Sequence, residues 1–125
     1  MRIEHVGLWV KDLEAMKDFY VKYFKATASA KYHNPKTQFT SYFLTFDDGA
    51  RLELGHRPDI QEGGRDRFGF GHLAFALGSK EEVDRFAYYM QGEGYPIQNG
   101  PRVTGDGYYE GVIYDPEGNQ LELTI

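Results

Sequence analysis

Apolar and polar residues alternate along several short stretches of the chain, which is the pattern of half-buried β-strands. Over residues 3–10 the aliphatic side chains fall on one face, and the opposite face carries His5. The last stretch behaves in the same way, with Leu121 and Leu123 on one face and Glu122 on the other. Further strands are predicted near residues 26–33, 38–46, 51–54, 72–77, 95–99 and 107–114.

Two other stretches space their apolar residues three and four positions apart, as amphipathic helices do. Asp12 is a suitable N-cap for the first of them. Its apolar positions are Leu13, Met16, Phe19, Tyr20, Tyr23 and Phe24. Ser79 and Glu82 have the spacing of a capping box at the start of the second helix, and its apolar stripe is Val83, Phe86, Ala87 and Met90. Residues 56–70 are rich in glycine and arginine, so they are predicted to be a connecting loop.

The second half of the chain repeats the spacing of the first. His5 precedes Glu53 by 48 positions, and His72 precedes Glu122 by 50. Each glutamate lies in a Leu-Glu-Leu segment that follows a turn-forming sequence. These intervals indicate an internal duplication.

The duplicated unit is a strand–helix–three-strand module, at about residues 1–57 and 70–125. Because hairpins dominate and the helices are interspersed, the predicted fold class is α+β, with two βαβββ modules forming a curved sheet cleft. The length of 125 residues fits a single domain made of both modules.

Composition narrows the classes of function. A net charge of -5 without any basic run argues against a nucleic-acid partner. The lack of cysteine excludes thiolate metal ligands, disulfides and a cysteine nucleophile. The chain starts directly with a strand pattern, and no apolar run approaches the roughly 20 residues of a membrane helix. We therefore expect a cytoplasmic protein with no membrane partner that acts on a small molecule.

Four residues on strand-like segments have the chemistry of metal ligands: His5, Glu53, His72 and Glu122. Each shares its strand face with small or polar residues, whereas the opposite faces are aliphatic and are expected to pack on the helices. Two imidazoles and two carboxylates suit Zn, Ni, Co, Mn or Fe(II). A tetrahedral arrangement would be a closed structural zinc site. An octahedral ion keeps two positions open for substrate, so we favour one divalent Ni or Co ion per site, with Zn as the alternative.

This ordered quartet and the duplicated module resemble the vicinal-oxygen-chelate superfamily over essentially the whole chain, and within it the bacterial glyoxalase I (lactoylglutathione lyase) type. The resemblance implies a homodimer with sites at the subunit interface, where His5 and Glu53 of one chain face His72 and Glu122 of the other. It implies a lyase or isomerase acting on the hemithioacetal of methylglyoxal and a thiol cosubstrate, through a metal-bound enediolate. Glu122 is assigned as the catalytic base, with Glu53 as its counterpart.

Two positions depart from the glyoxalase I pattern. Trp9 stands where an arginine that holds glutathione is expected, and Arg57 stands where an asparagine is expected. Both changes fall in the thiol-binding region, so the identity of the thiol stays open. Trp9, Arg57 and Tyr108 are the candidate substrate-binding residues.

Other interpretations stay open at this level. A non-enzymatic binding protein of the bleomycin-resistance type, or a fosfomycin-type thiol transferase, has the same module. A single strand histidine is usually structural, and Glu53 beside Arg51 is also the sequence of an exposed ion pair. His56 is the alternative ligand if Glu53 is not one, although we expect it to be exposed. Arg57, Arg65 and Arg67 either clamp an anionic substrate or lie on a solvated loop.

Overall fold

The computed structural model describes residues 1–64, 66 and 68–125. Arg65 and Arg67, two candidates for an anion clamp, lie outside the described residues. The chain forms two compact units, Met1–Gly63 and Gly64–Ile125. Each unit contains one helix and one sheet, and this confirms the α+β class. No helix among the described residues is long and apolar enough to cross a membrane.

The first unit is a five-stranded sheet with one helix. Its elements are β1 (His5–Trp9), α1 (Leu13–Phe24), β2 (Thr27–Ala28), β3 (Tyr32–His33), β4 (Thr40–Thr45) and β5 (Arg51–His56). The strand order is β1-β5-β4-β2, and β3 also pairs with β4. β1 runs parallel to β5, while the other pairings are antiparallel. The first and last strands of the unit are therefore neighbours.

The second unit has the same topology with four strands. Its elements are β6 (Leu73–Ala76), α2 (Lys80–Gly92), β7 (Asn99–Val103), β8 (Tyr109–Tyr114) and β9 (Gln120–Thr124). The strand order is β6-β9-β8-β7, with β6 parallel to β9. The first strand again pairs with the last, as in the first unit.

The helices begin where the sequence predicts. The Asp12 carboxylate accepts a hydrogen bond from the Ala15 N–H at 3.0 Å, and the Ser79 hydroxyl accepts one from the Glu82 N–H at 3.2 Å. Each helix packs against the last two strands of its own unit. The helices and strands bury the aliphatic residues Leu13, Met16, Leu44, Leu52, Leu54, Val83, Met90, Ile113, Leu121 and Leu123. One face of each sheet is thus covered by its helix.

Several strand boundaries differ from the prediction. The strand predicted near 26–33 is split into β2 and β3 at Ser29, where one bond of the ladder is replaced. The Ser29 N–H donates to the Phe43 carbonyl at 2.8 Å, but the Phe43 N–H donates to the Ser29 hydroxyl at 2.9 Å. The strand predicted near 95–99 begins only at Asn99, since the Tyr95 N–H still bonds to the Met90 carbonyl at 2.9 Å and completes the end of α2.

The turn before β9 is built around a buried carboxylate. Asp115 is 4% exposed, and its Oδ1 accepts hydrogen bonds from the N–H groups of Glu117 and Asn119, both at 2.9 Å. The amide of Asn119 donates to Oδ2 at 2.9 Å. In the first unit the corresponding turn uses Asp48, which is exposed and accepts from the Gly49 N–H at 2.7 Å.

Replacing Asp115 by alanine should destabilise the protein by about 1–3 kcal/mol, because the donors of the turn would lose a buried acceptor. Urea unfolding followed by circular dichroism measures the change. Asp48→Ala is the matched control in the duplicated turn, and it should stay within about 0.5 kcal/mol because that side chain is solvated. Equal losses in the two variants would contradict the role of Asp115.

Candidate functional site

The first pair of predicted ligands comes together across β1 and β5. The parallel register sets His5 opposite Arg51 and Gly7 opposite Glu53, so the histidine and the glutamate are diagonal neighbours on the face away from α1. The His5 Nε2 lies 3.7 Å from the Glu53 Oε2. A Cβ atom added at Gly7 would meet nothing within 4 Å, so there is open space beside the carboxylate.

Neighbouring side chains hold the His5 ring on its other side. The His5 Nδ1 lies 2.5 Å from the Glu4 Oε2, while the Arg51 guanidinium bonds to the Glu4 Oε1. The hydrogen bond from His5, followed by the contacts with Arg51, lowers the pKa of the Glu4 carboxyl. Since Arg51 pairs with Glu4, the interpretation of Glu53 as the ion-pair partner of Arg51 is wrong.

The second pair comes together in the same way in the other unit. His72 directly precedes β6 rather than opening it, and Ala74 pairs with Glu122 across the parallel β6–β9 ladder. The His72 Nε2 lies 3.3 Å from the Glu122 Oε2. Each half of the chain therefore positions one imidazole and one carboxylate by the same strand pairing.

A second acidic residue, Glu110, lies beside Glu122, and it was not predicted from the sequence. Glu110 of β8 lies on the same sheet face, since the antiparallel register pairs Glu110 with Thr124 and Val112 with Glu122. Burial, and then the hydrogen bond with Glu122, raise the pKa of the Glu110 carboxyl. The alternation of β8 was the available signal, because it puts residue 110 on the ligand face.

In each pair, the distance between the imidazole nitrogen and the carboxylate oxygen suits two ligands of one divalent cation. Two N or O ligands bound to one Zn-like ion at about 2.1 Å lie about 3 Å apart, and the distances of 3.3 Å and 3.7 Å are close to that spacing. Nitrogen and carboxylate donors suit borderline divalent ions. Within the described part of the chain, no group of three or more such side chains is gathered for a metal. Each unit therefore brings together one imidazole and one carboxylate.

An aromatic shelf, formed by Trp9, Phe39 and Tyr32, extends the ligand face of the first unit. The Phe39 ring lies edge-on to Trp9 at 5.9 Å and 6.1 Å from Tyr32. Trp9 and Tyr32 are 48% and 53% exposed. The Arg57 guanidinium lies 5.3 Å from the centre of the Trp9 ring, and its Nε–H donates to Asp59.

The remaining candidates are placed elsewhere. His56, expected to be exposed, is half-buried, and its Nδ1 lies 2.8 Å from the Val10 carbonyl oxygen. That contact gives His56 a structural role. Tyr108 lies in the turn between β7 and β8 and is 63% exposed. Among the described contacts, none joins Tyr108 to the two histidine–glutamate pairs.

A sequence model of the Glyoxalase/Bleomycin resistance protein/Dioxygenase superfamily matches residues 2–123. The chain is 29% identical over 128 residues to the uncharacterized protein YqjT of Bacillus subtilis, covering 97% of this chain and 96% of that protein.

Solved structures show the same fold. A glyoxalase family protein from Enterococcus faecalis has a TM-score of 0.81 at 25% identity, covering 99% of this chain and 97% of that one. Glyoxalase I from Zea mays has a TM-score of 0.77 at 25% identity over 98% of this chain, which spans 44% of the maize chain. A trypanothione-dependent glyoxalase I from Leishmania major has a TM-score of 0.79 at 23% identity, covering 99% of this chain and 86% of that one.

Replacing Gly55 by alanine should disturb the aromatic shelf, because the new Cβ would lie 3.0 Å from a Phe39 ring carbon and 3.3 Å from Trp9. We expect a changed emission spectrum from Trp9, the only tryptophan in the chain, and a loss of about 1–3 kcal/mol in stability. Gly7→Ala is the control on the same face, where a Cβ has open space. An unchanged spectrum in Gly55→Ala would contradict the packing of the shelf.

Proposed function

Because the chain belongs to the Glyoxalase/Bleomycin resistance protein/Dioxygenase superfamily, we propose that it is a metal-dependent lyase of the glyoxalase I kind. Its substrate is the hemithioacetal of a 2-oxoaldehyde and a thiol, which it isomerises to a 2-hydroxy thioester. The observation that carries the proposal is the duplicated histidine–glutamate pair, with imidazole nitrogen and carboxylate oxygen 3.7 Å and 3.3 Å apart.

The proposed metal site has four protein ligands: His5, Glu53, His72 and Glu122. Each unit supplies two of them, which we call its half-site. We therefore propose a homodimer in which His5 and Glu53 of one chain bind the same ion as His72 and Glu122 of the second copy. Four N and O donors without cysteine favour Ni or Co, with Zn as the alternative. Open coordination positions are what separates such a catalytic site from a closed structural one.

The reaction is a proton transfer between neighbouring carbon atoms. When bound, the divalent ion supplies Lewis-acid stabilisation of the negative charge that develops on the two substrate oxygens. Glu122 takes the proton from the carbon that bears sulfur and returns it to the adjacent carbonyl carbon. The electron pair moves through the enediol form of the substrate, and the hydroxyl proton passes to the other oxygen. No oxidant or reductant is needed. Glu53 faces the opposite side of the substrate as its counterpart.

The substrate's distal part is proposed to lie on the aromatic shelf. Trp9 follows His5 and Gly7 along one face of β1, so the shelf continues directly from the His5 half-site. A tryptophan with Arg57 over its ring offers apolar and stacking surface rather than the charged contact expected for a glutathione carboxylate. We therefore propose a thiol or aldehyde with an apolar group. Tyr108 remains a prediction without a described contact to this region.

A second candidate function is sequestration of an aromatic compound without turnover. The exposure of Trp9 and Tyr32 favours it, because contiguous exposed aromatic rings mark binding surfaces. Such a protein would quench the fluorescence of Trp9 on binding its ligand in the presence of a chelator, and it would not convert any hemithioacetal.

Metal uptake tests the ligand set. After equilibration with Ni, Co or Zn and removal of loosely bound ions, elemental analysis should find about one divalent ion per chain. His5→Ala and His72→Ala should each lose most of the bound metal, because each removes one of the two imidazole donors. His33→Ala is the control, since His33 is exposed on β3. Wild-type protein that retains no ion, or equal loss in the control, would refute the assignment.

Glu122→Gln should lower the turnover number by about 10²–10⁴-fold while the circular dichroism spectrum is unchanged, because an amide does not accept the transferred proton. The assay follows hemithioacetals of methylglyoxal and phenylglyoxal with a panel of thiols at saturating metal. Metal content is measured in parallel, so that loss of a ligand is separated from loss of the base. Glu81→Gln, an exposed change in the first turn of α2, is the control. Full activity in Glu122→Gln would remove Glu122 as the base.

A further inference from the structure

The two half-sites differ in what stands behind the histidine. His5 follows Glu4, whereas His72 follows Gly71. Arg51 lies two positions before Glu53, whereas Gln120 lies two positions before Glu122. The first half-site therefore has a glutamate and an arginine where the second half-site has a glycine and a glutamine.

In the first unit the Arg51 side chain contacts Glu4, and Glu4 in turn contacts the His5 imidazole. The Arg51 Nε and Nη2 both lie against the Glu4 Oε1, at 2.7 Å and 2.5 Å. The other oxygen, Oε2, lies 2.5 Å from the His5 Nδ1. The strand ladder reinforces the arrangement, because the Arg51 N–H donates to the Glu4 carbonyl at 3.0 Å. One carboxylate thus bridges the guanidinium and the imidazole.

Phe43 fixes the same two groups from the side. The Arg51 guanidinium lies 4.2 Å from the centre of the Phe43 ring, and the His5 ring meets it edge-on at 5.3 Å. Phe43 pairs with Glu53 across the β4–β5 ladder. In the second unit the residue opposite Glu122 is Val112, which has no ring to offer. The His5 ring is therefore held at its edge and at Nδ1.

We infer that Glu4, supported by Arg51, is a positioning residue that holds His5 in the tautomer with Nδ1 protonated and the Nε2 lone pair directed towards Glu53. A carboxylate behind a ligating imidazole fixes its orientation and tautomer and raises its basicity as a ligand. The inference rests on the proposed function for its purpose, but the tautomer is a property of the metal-free protein. The His5 half-site is preorganised, and the His72 half-site has no equivalent support from Gly71 or Gln120.

The test compares Glu4→Ala with Glu62→Ala, which removes another exposed carboxylate with the same change of net charge. Glu62 lies in the loop after β5, and its carboxylate pairs with Lys11. The first measurement is a long-range ¹H–¹⁵N NMR spectrum of the histidine rings in metal-free protein at mildly alkaline pH. In the wild type and in Glu62→Ala, the His5 Nε2 should resonate as an unprotonated nitrogen. In Glu4→Ala it should move towards the tautomer mixture of the exposed His33.

The second measurement is the affinity for Ni or Zn by competition with a chelator. Glu4→Ala should bind about 10–100-fold more weakly, the usual effect of removing such a partner, and Glu62→Ala should match the wild type. Arg51→Met should move both readouts in the same direction as Glu4→Ala, since the carboxylate then loses its anchor. Identical tautomer and affinity in Glu4→Ala and Glu62→Ala would overturn the inference. If the wild type binds no metal, and the His5 tautomer of the metal-free protein still changes in Glu4→Ala, the proposed function is refuted and the positioning role is supported.

Discussion

The parallel pairing of the first and last strands of each unit is the constraint on which the candidate site depends. It sets Gly7 opposite Glu53 and Ala74 opposite Glu122. A histidine two residues before the small residue is then the diagonal neighbour of the glutamate. Because successive side chains alternate, a shift of the register by one residue would turn these side chains towards the helix. Both histidine–glutamate pairs follow from one hydrogen-bonding arrangement that is used twice.

The helices account for why the polar side chains are tolerated on these sheets. Each helix covers one face of its own sheet and buries the aliphatic residues there, including Leu52, Leu54, Leu121 and Leu123. The other face keeps small, aromatic and charged residues that do not need that burial. Polar atoms on a partly buried face still require partners, and the described structure contains no buried side-chain N or O atom without a hydrogen bond.

The duplicated units have the same strand order but have diverged in the residues around the histidine–glutamate pairs. The first unit surrounds His5 with Glu4, Arg51 and Phe43, and continues into the aromatic shelf. The second unit instead places Glu110 beside Glu122. The two histidine–glutamate pairs are thereby chemically distinct: the surroundings of the first hold an imidazole in place, and those of the second bring two carboxyl groups together.

The sequence by itself determined the features that depend on local chemistry. Asp12 and Ser79 identified the helix starts, the alternation of residues separated the faces of the strands, and the repeated spacing predicted the order of elements. The similar intervals between histidine and glutamate, 48 and 50 positions, also indicated that the two modules carry these residues at equivalent places. What the tertiary structure decided was which side chains meet across strands that are distant in sequence: Glu4 with Arg51, His56 with Val10, and Glu110 with Glu122. Local pattern sets the face on which a side chain lies, but the register of the paired strands sets its neighbours, and that register comes from packing between segments that lie far apart along the chain.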